Sequence, residues 1–250
     1  MGFIHFLGTA GSRYTTMSQK RASGGIWLEH EGTKLLIDPG PGSLVRIREW
    51  TAYDPQTLDG IVLTHKHLDH SNDVNIMTEV MTKGGKEKRG TLIAPSDAFV
   101  TDGVIIGYCQ KLPETVHEIR GGEEIVLGSI RMSFSSPLAH GSSTHGITFH
   151  CGETSIALIA DTDYFPGLED LFRADIFIIS CLMLDHYDNV YHLCLAEAAT
   201  IIAKAKPRKA ILTHFGLRIL EKDTVQLGRD ISAQSGVDTV LAEDNQIFEF

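Results

Sequence analysis

Within six residues the chain places three imidazoles and a carboxylate, in the run His65-Lys66-His67-Leu68-Asp69-His70. The run follows directly on Gly60-Ile61-Val62-Leu63-Thr64, a continuous apolar stretch of the kind that forms a strand buried on both faces. Neutral imidazole and carboxylate are the donors that suit zinc and related divalent ions, and grouping so many at one strand end is costly without such a purpose. On a turn, residues 65 and 67 can face one way while 69 and 70 face another. The run therefore predicts two half-sites rather than one, with the remaining ligands supplied from elsewhere.

Three further positions share the same local setting. His140 follows the strand Ile130–Ser136 in Pro137-Leu138-Ala139-His140-Gly141, Asp161 closes the apolar strand Ser155–Ala160, and His214 closes Ala210–Leu212 in Leu212-Thr213-His214-Phe215-Gly216. Each is a polar residue at the carboxyl end of a buried strand, the edge where α/β sheets assemble their sites.

The surrounding pattern predicts an α/β (α+β) fold. Strand Phe3–Leu7 runs into the small-residue turn Gly8–Ser12, but neither GxGxxG nor GxxxxGK[ST] is present, and no amphipathic helix is expected to follow. Arg13–Gly24 reads as polar and irregular. Gly25–Glu29 and Thr33–Ile37 form a hairpin ending in Asp38-Pro39-Gly40-Pro41-Gly42. Helices are expected over Ser43–Trp50 and Asp73–Thr82, a basic loop over Lys83–Arg89 and a strand at Thr91–Ala94. Beyond Pro113 come strands Val116–Arg120, Glu124–Leu127, Ile130–Ser136, Gly146–Cys151 and Ser155–Ala160. Strands Ile176–Ile179, Ala210–Leu212, Thr239–Leu241 and Ile247–Phe250 then alternate with helices Leu195–Lys204 and Thr224–Ser235. With no repeat or flexible linker, the expectation is one domain over 1–250, a four-layer αββα sandwich of two mixed β-sheets.

Composition narrows the partners. The chain has 22 basic against 32 acidic residues, a formal net charge of −10, which argues against a large polyanionic partner. Four cysteines without CxxC spacing read as reduced core residues. The first residues lack the basic and apolar regions of a signal sequence, and no apolar run reaches the roughly 20 residues of a membrane span. A cytoplasmic protein without membrane association is expected.

The chain resembles the metallo-β-lactamase superfamily. His65-x-His67-x-Asp69-His70 is similar to the signature of that superfamily, and the order of His140, Asp161 and His214 is similar to its later motifs. The resemblance implies one metal on His65, His67 and His140 and a second on Asp69, His70 and His214, with Asp161 bridging both. Zinc is the default ion, with manganese or iron as alternatives. Water held between two such cations loses a proton near neutral pH, which makes the implied activity hydrolytic. Asp69 would also orient that nucleophile, and Asp38 would hold a ligand histidine from behind; an Asp before Pro-Gly also serves simply to form a turn.

Within the superfamily, Phe6-Leu7-Gly8-Thr9-Ala10-Gly11-Ser12 and Ile37-Asp38-Pro39-Gly40 resemble ribonuclease Z, the tRNA 3′-processing endonuclease, and equally a phosphoribosyl cyclic phosphate phosphodiesterase. In those relatives a histidine at the place of His192, before the helix containing Glu197-Ala198-Ala199, faces the substrate phosphate. His192 would then stabilise the charged phosphorane or protonate the departing oxygen. Between His140 and Asp161 there is room for two strands and a turn but not for a tRNA-gripping arm. A small cyclic or nucleotide-like phosphodiester is therefore the expected substrate, with nucleic acid not favoured. Alternatives are tRNA-type processing, lactone or thioester hydrolysis on the same cage, and a metal-binding sensor or interaction module without catalysis. His145 and His186 are candidate substrate contacts, set against structural or solvated roles, and the loops 13–24, 101–111 and 181–191 would select the substrate. Relatives suggest a homodimer or a monomer.

Overall fold

The computed structural model describes residues 1–100 and 102–250; Thr101, where one of the expected substrate loops begins, lies outside the described residues. In chain order the strands are β1 (Gly2–Phe6), β2 (Ile26–His30), β3 (Thr33–Ile37), β4 (Gly60–Val62), β5 (Thr91–Pro95), β6 (Thr115–Ile119), β7 (Glu124–Leu127), β8 (Ile130–Pro137), β9 (His145–Cys151), β10 (Thr154–Ile159), β11 (Ile176–Met183), β12 (Leu193–Cys194), β13 (Lys209–Thr213), β14 (Asp238–Leu241) and β15 (Gln246–Glu249). The helices are α1 (Ser12–Ser18), α2 (Ser43–Trp50), α3 (Leu68–Ser71), α4 (Val74–Met81), α5 (Leu195–Ala205), α6 (Leu217–Leu220) and α7 (Thr224–Ser235). Among the described residues the strands form two mixed sheets, ordered β15-β1-β2-β3-β4-β5-β6 and β14-β13-β11-β10-β9-β8-β7, with β12 paired to β11.

The period-2 alternation of side chains explains why the layers number four. In β3, Leu35 and Ile37 face the second sheet, where they join Phe149, Ile156 and Ile178, while Leu36 faces outward onto Trp27, Ile47 and Met77. Strand β4 repeats the pattern, with Val62 inward and Ile61 outward. On the far side, Ile159, Phe177 and Ile179 turn outward onto Ala198, Ile202 and Ile231 of α5 and α7. Each sheet therefore has two apolar faces and is buried on both, which produces the αββα sandwich. Each fully buried Ile, Leu or Phe contributes roughly 1.5–3 kcal/mol of transfer free energy.

The parallel strands β3, β4, β10, β11 and β13 deliver their carboxyl ends to one rim of this sandwich. Asp38, Thr64 and His65, Asp161 and His214 all lie just past those ends. This is the topological reason that residues scattered over 177 positions (38 to 214) share one rim.

Two sequence expectations need correction. Arg13–Gly24 is not wholly irregular, because Ser12–Ser18 is helical and follows the Gly8–Gly11 turn directly. That helix buries only Thr15 and has no side-chain cap, so it carries no apolar stripe that a sequence pattern could reveal. The strand at 176 continues to Met183, and β12 was not foreseen, being two residues long. The four cysteines are free and buried, as expected.

Candidate metal centre

The side chains of the His65–His70 run separate as the turn geometry demands. His65 leaves the end of β4, His67 caps α3, and Asp69 and His70 sit in its single turn. His65 Nε2 lies 3.1 Å from His67 Nδ1, and His140 Nε2 lies 3.0 Å from that same nitrogen. On the other side His70 Nε2 is 3.0 Å from His214 Nε2, and His214 Nε2 is 3.2 Å from Asp69 Oδ2. Asp161 stands between the two groups, with Oδ2 at 3.8 Å from His65 Nε2, 3.2 Å from His70 Nε2 and 3.3 Å from His214 Nε2.

The polarity of these contacts decides what the centre can hold. His140 Nδ1 lies 2.8 Å from the Tyr191 carbonyl, which can only accept, so His140 carries its proton there and turns a bare Nε2 inward. His70 Nδ1 faces Asp38 Oδ2 at 3.0 Å, which likewise places a proton on the outer nitrogen. Asp161 Oδ1 is buried and has no hydrogen-bond partner. Lone pairs thus converge on two points, one closed off by buried side chains and the other open on the side of His67, an arrangement that a cation stabilises and an apolar or anionic occupant does not. Separations of 3.0–3.3 Å between donors are those of two atoms each about 2 Å from a shared ion. The residues fit divalent metal.

Burial and charge reinforce that fit. Burial opposes ionisation of Asp161, yet His214, His70 and His192 outweigh it and hold the carboxyl well below its ordinary range. Asp69 is likewise pushed down, the pull of His70 and His214 overcoming burial. Burial depresses His65 and His67, which remain neutral, ligand-competent imidazoles. His70 is the exception: burial works against its charge, but Asp161, Asp69 and Asp38 raise it strongly. In the metal-free chain a proton on His70 partly balances the carboxylates.

A family description, the Beta-lactamase superfamily domain, matches residues 33–215. The chain belongs to the metallo-β-lactamase superfamily. Members of this superfamily are metal-dependent hydrolases. An uncharacterised protein of Methanocaldococcus jannaschii is 27% identical over 248 residues, covering 96% of this chain and 91% of that protein. A ribonuclease Z of Methanopyrus kandleri is 31% identical over 135 residues, 52% of this chain and 43% of that protein. Among solved structures, the metallo-β-lactamase fold protein YhfI of Bacillus subtilis superposes with a TM-score of 0.79 at 18% identity, over 100% of this chain and 99% of that one. A diphosphatase of the PhnP family gives 0.73 at 21% identity, over 100% and 97%. These last two likenesses show the fold.

The superfamily signature residues therefore meet at one rim, and so does His192. Its Nδ1 lies 3.6 Å from Asp161 Oδ2, and its ring packs against those of His140 and His214. Burial lowers its pKa to about 4, with Asp161 opposing, so the ring is neutral at pH 7. Asp38 lies behind the rim and holds His70 as described.

His145 is not available to a substrate: it is fully buried, with Nδ1 on the Ser135 carbonyl and Nε2 on the Ser143 hydroxyl. The start of β9 carries it into the sandwich, where its backbone N–H also bonds the Thr64 carbonyl. His186 is half-exposed and paired with Glu197 and Asp188; it joins none of the groups of side chains able to hold a metal.

Several contributors escaped sequence reading. The Ser12 N–H donates to Asp69 Oδ2 at 2.8 Å, and the Tyr191 carbonyl orients His140. Both are backbone groups, identical in every residue type, so no sequence signal marks them. Asp244 accepts from Thr9 N–H, Thr9 Oγ1 and Ala22 N–H, bracing the turn that carries Gly11 and Ser12. Ser12, Asp38 and His214 all adopt left-handed backbone, with φ of 62°, 47° and 64°. Such strain of roughly 1–3 kcal/mol per residue persists where surrounding structure over-determines it, and it concentrates at functional sites.

Proposed function

We propose that this chain is a phosphodiesterase that holds two divalent metal ions, most simply zinc, and acts on a small cyclic or nucleotide-like phosphodiester. One observation carries the reading: two triads of donors, His65-His67-His140 and Asp69-His70-His214, flank a single buried carboxylate, Asp161, beside a neutral His192. The first triad with Asp161 would hold one ion and the second triad with Asp161 the other. When bound, such a pair supplies Lewis-acid polarisation and lowers the pKa of water.

The chain's own residues supply the rest. Asp69 stays ionised and is held by the Ser12 amide, which leaves its other oxygen to orient a nucleophile. His192 is a neutral imidazole at pH 7, and its one N–H is placed to hydrogen-bond a phosphoryl oxygen and stabilise the charge that develops there. The Tyr191 carbonyl and Asp38 restrict the rings of His140 and His70, so little reorganisation is needed on substrate binding.

A small substrate is supported by what surrounds the centre. From His140 to Asp161 the described residues form β9, β10 and their short connections, with no projecting arm. Three cations of the exposed basic segment at 83–89 have local partners: Lys83 pairs with Glu87, Lys88 bonds the carbonyls of Lys111 and Pro113, and Arg89 bonds those of Gln56 and Met81. These contacts compete with a polyanion for the same cations, and the chain as a whole carries a net charge of −10. A diphosphatase of the PhnP family shares this fold, in keeping with a phosphorus-centred substrate, and the ribonuclease Z match makes RNA the second substrate to test.

The test is turnover of bis(p-nitrophenyl) phosphate, a lactone panel and a precursor tRNA by metal-loaded protein, with bound metal counted in parallel. The expected result is phosphodiester turnover that falls about 100–1000-fold in His192→Ala with both ions retained. Lactone-only activity, processing of tRNA in preference to the small diester, or no turnover with two ions bound would each overturn the reading.

A further inference from the structure

Two candidate ligand histidines, one from each half-site, turn their outer nitrogens toward the same carboxylate. His70 Nδ1 lies 3.0 Å from Asp38 Oδ2. His65 Nδ1 lies 3.1 Å from Thr64 Oγ1, and Thr64 Oγ1 lies 2.7 Å from that same Asp38 oxygen. The remaining oxygen, Asp38 Oδ1, accepts the Thr64 N–H at 2.7 Å. Thr64 and His65 are 0% exposed, His70 5% and Asp38 7%, so water does not substitute for these partners.

The direction of each bond follows from proton counting. A threonine hydroxyl has one hydrogen, and an ionised carboxylate can only accept. Thr64 therefore donates to Asp38, and its oxygen is left to accept from His65 Nδ1–H. Asp38 accepts in turn from His70 Nδ1–H. His65 then presents a bare Nε2 to the centre, and His70 does the same once a metal ion displaces the proton that its carboxylate neighbours hold there.

We propose that Thr64 and Asp38 form a one-way hydrogen-bond chain joining the two half-sites, in which Thr64 positions His65 alone and Asp38 positions His65 and His70 together. The chain rests on the two-ion reading above. It makes Asp38 a shared support and Thr64 a selective one. Without the hydroxyl, His65 has no acceptor for an Nδ1 proton, and its ring is free to protonate Nε2 and turn a hydrogen toward the first half-site. His70 keeps its direct bond to Asp38.

The experiment strips the full-length protein with a chelator and titrates it with Zn²⁺ against a chromophoric competitor, counting bound ions by mass spectrometry. His140→Ala identifies which binding step belongs to the first half-site. In wild type and Thr64→Ser, two steps are expected with similar affinities in both proteins. In Thr64→Val the first-half-site step weakens about 10–100-fold while the second is unchanged, and in Asp38→Asn both weaken. In parallel, ¹⁵N chemical shifts of the metal-free protein should report His65 protonated on Nδ1 in wild type and Thr64→Ser, and shifted toward Nε2 in Thr64→Val. Equal weakening of both steps in Thr64→Val, no weakening of either, or an unchanged His65 tautomer would overturn the chain. A wild-type protein that binds fewer than two ions refutes the two-ion reading instead, and the tautomer measurement still judges the chain.

Discussion

The half-site of Asp69, His70 and His214 and the half-site of His65, His67 and His140 use similar donors on very different supports. In the first, His70 and His214 are each 5% exposed. Asp38 grips His70, the Ser12 amide grips Asp69, and the backbone at Gly11 and Gly40 presses on the group so closely that an added Cβ would clash with His214 Nδ1 or with the Asp69 carbonyl. In the second, His65 is fully buried on Thr64, but His67 is exposed and His140 half-buried; a single backbone carbonyl orients His140, and a Cβ added at neighbouring Gly141 would meet nothing within 4 Å. The contrast teaches that one half of the centre is preorganised by packing and the other is left adjustable on the face that a substrate would approach.

The largest expected effect that would break this contrast comes from the buried side. His214→Ala should lower phosphodiester turnover by more than the ~10–100-fold typical of losing an outer partner, and should remove one ion. His67→Ala should cost the other ion with a smaller loss of thermal stability, because an exposed ring leaves no cavity. Equal destabilisation of the two variants in thermal unfolding would refute the asymmetry. Chelator competition on wild type sharpens the same point: metal should leave in two phases, with the open half-site emptying first, and a single phase would contradict it.

A smaller effect is expected from paired glycine variants. Gly11→Ala should cost about 1–3 kcal/mol through overpacking, lowering the melting temperature by roughly 2–4 °C per kcal/mol. Gly141→Ala should be near neutral in both melting temperature and metal content. Equal shifts would show that the buried half-site has slack that its packing denies.

The smallest effect lies away from the centre and serves as its control. Asp175, at the opposite end of the sandwich, accepts from the Ser155 hydroxyl and amide at 2.7 and 2.8 Å, and these bonds hold its pKa below the usual carboxylate range. A carboxylate depressed in the folded state stabilises fully above its unfolded pKa of about 3.9, and loses that contribution as pH falls through the folded value. Asp175→Asn should therefore lower the melting temperature slightly at pH 7, and the gap from wild type should close below about pH 4. Metal binding at pH 7 should not change. A gap that persisted in acid would locate the effect outside ionisation.

Much of this was legible in the chain alone, for reasons tied to particular residues. The alternation Leu35-Leu36-Ile37 and the apolar run before His65 announce strands buried on both faces, since side-chain period and burial leave a direct imprint on residue type. His65, His67, Asp69, His70, His140, Asp161 and His214 were visible because side chains of the types that can bind metal are chemically conspicuous at strand ends. Sequence could not exclude His145, because a histidine two strands deep and one at the rim look alike until β9 is placed.

What the sequence determined by itself was the set of donors and the layered fold, both properties of side-chain type and periodicity. The tertiary structure decided which donors stand together, which group of them is rigid, and which backbone groups orient them. Those outcomes depend on parallel strand register, on left-handed turns at Ser12, Asp38 and His214, and on carbonyls and amides such as Tyr191 C=O and Ser12 N–H. Backbone groups are the same at every position, so their roles exist only once the chain has folded.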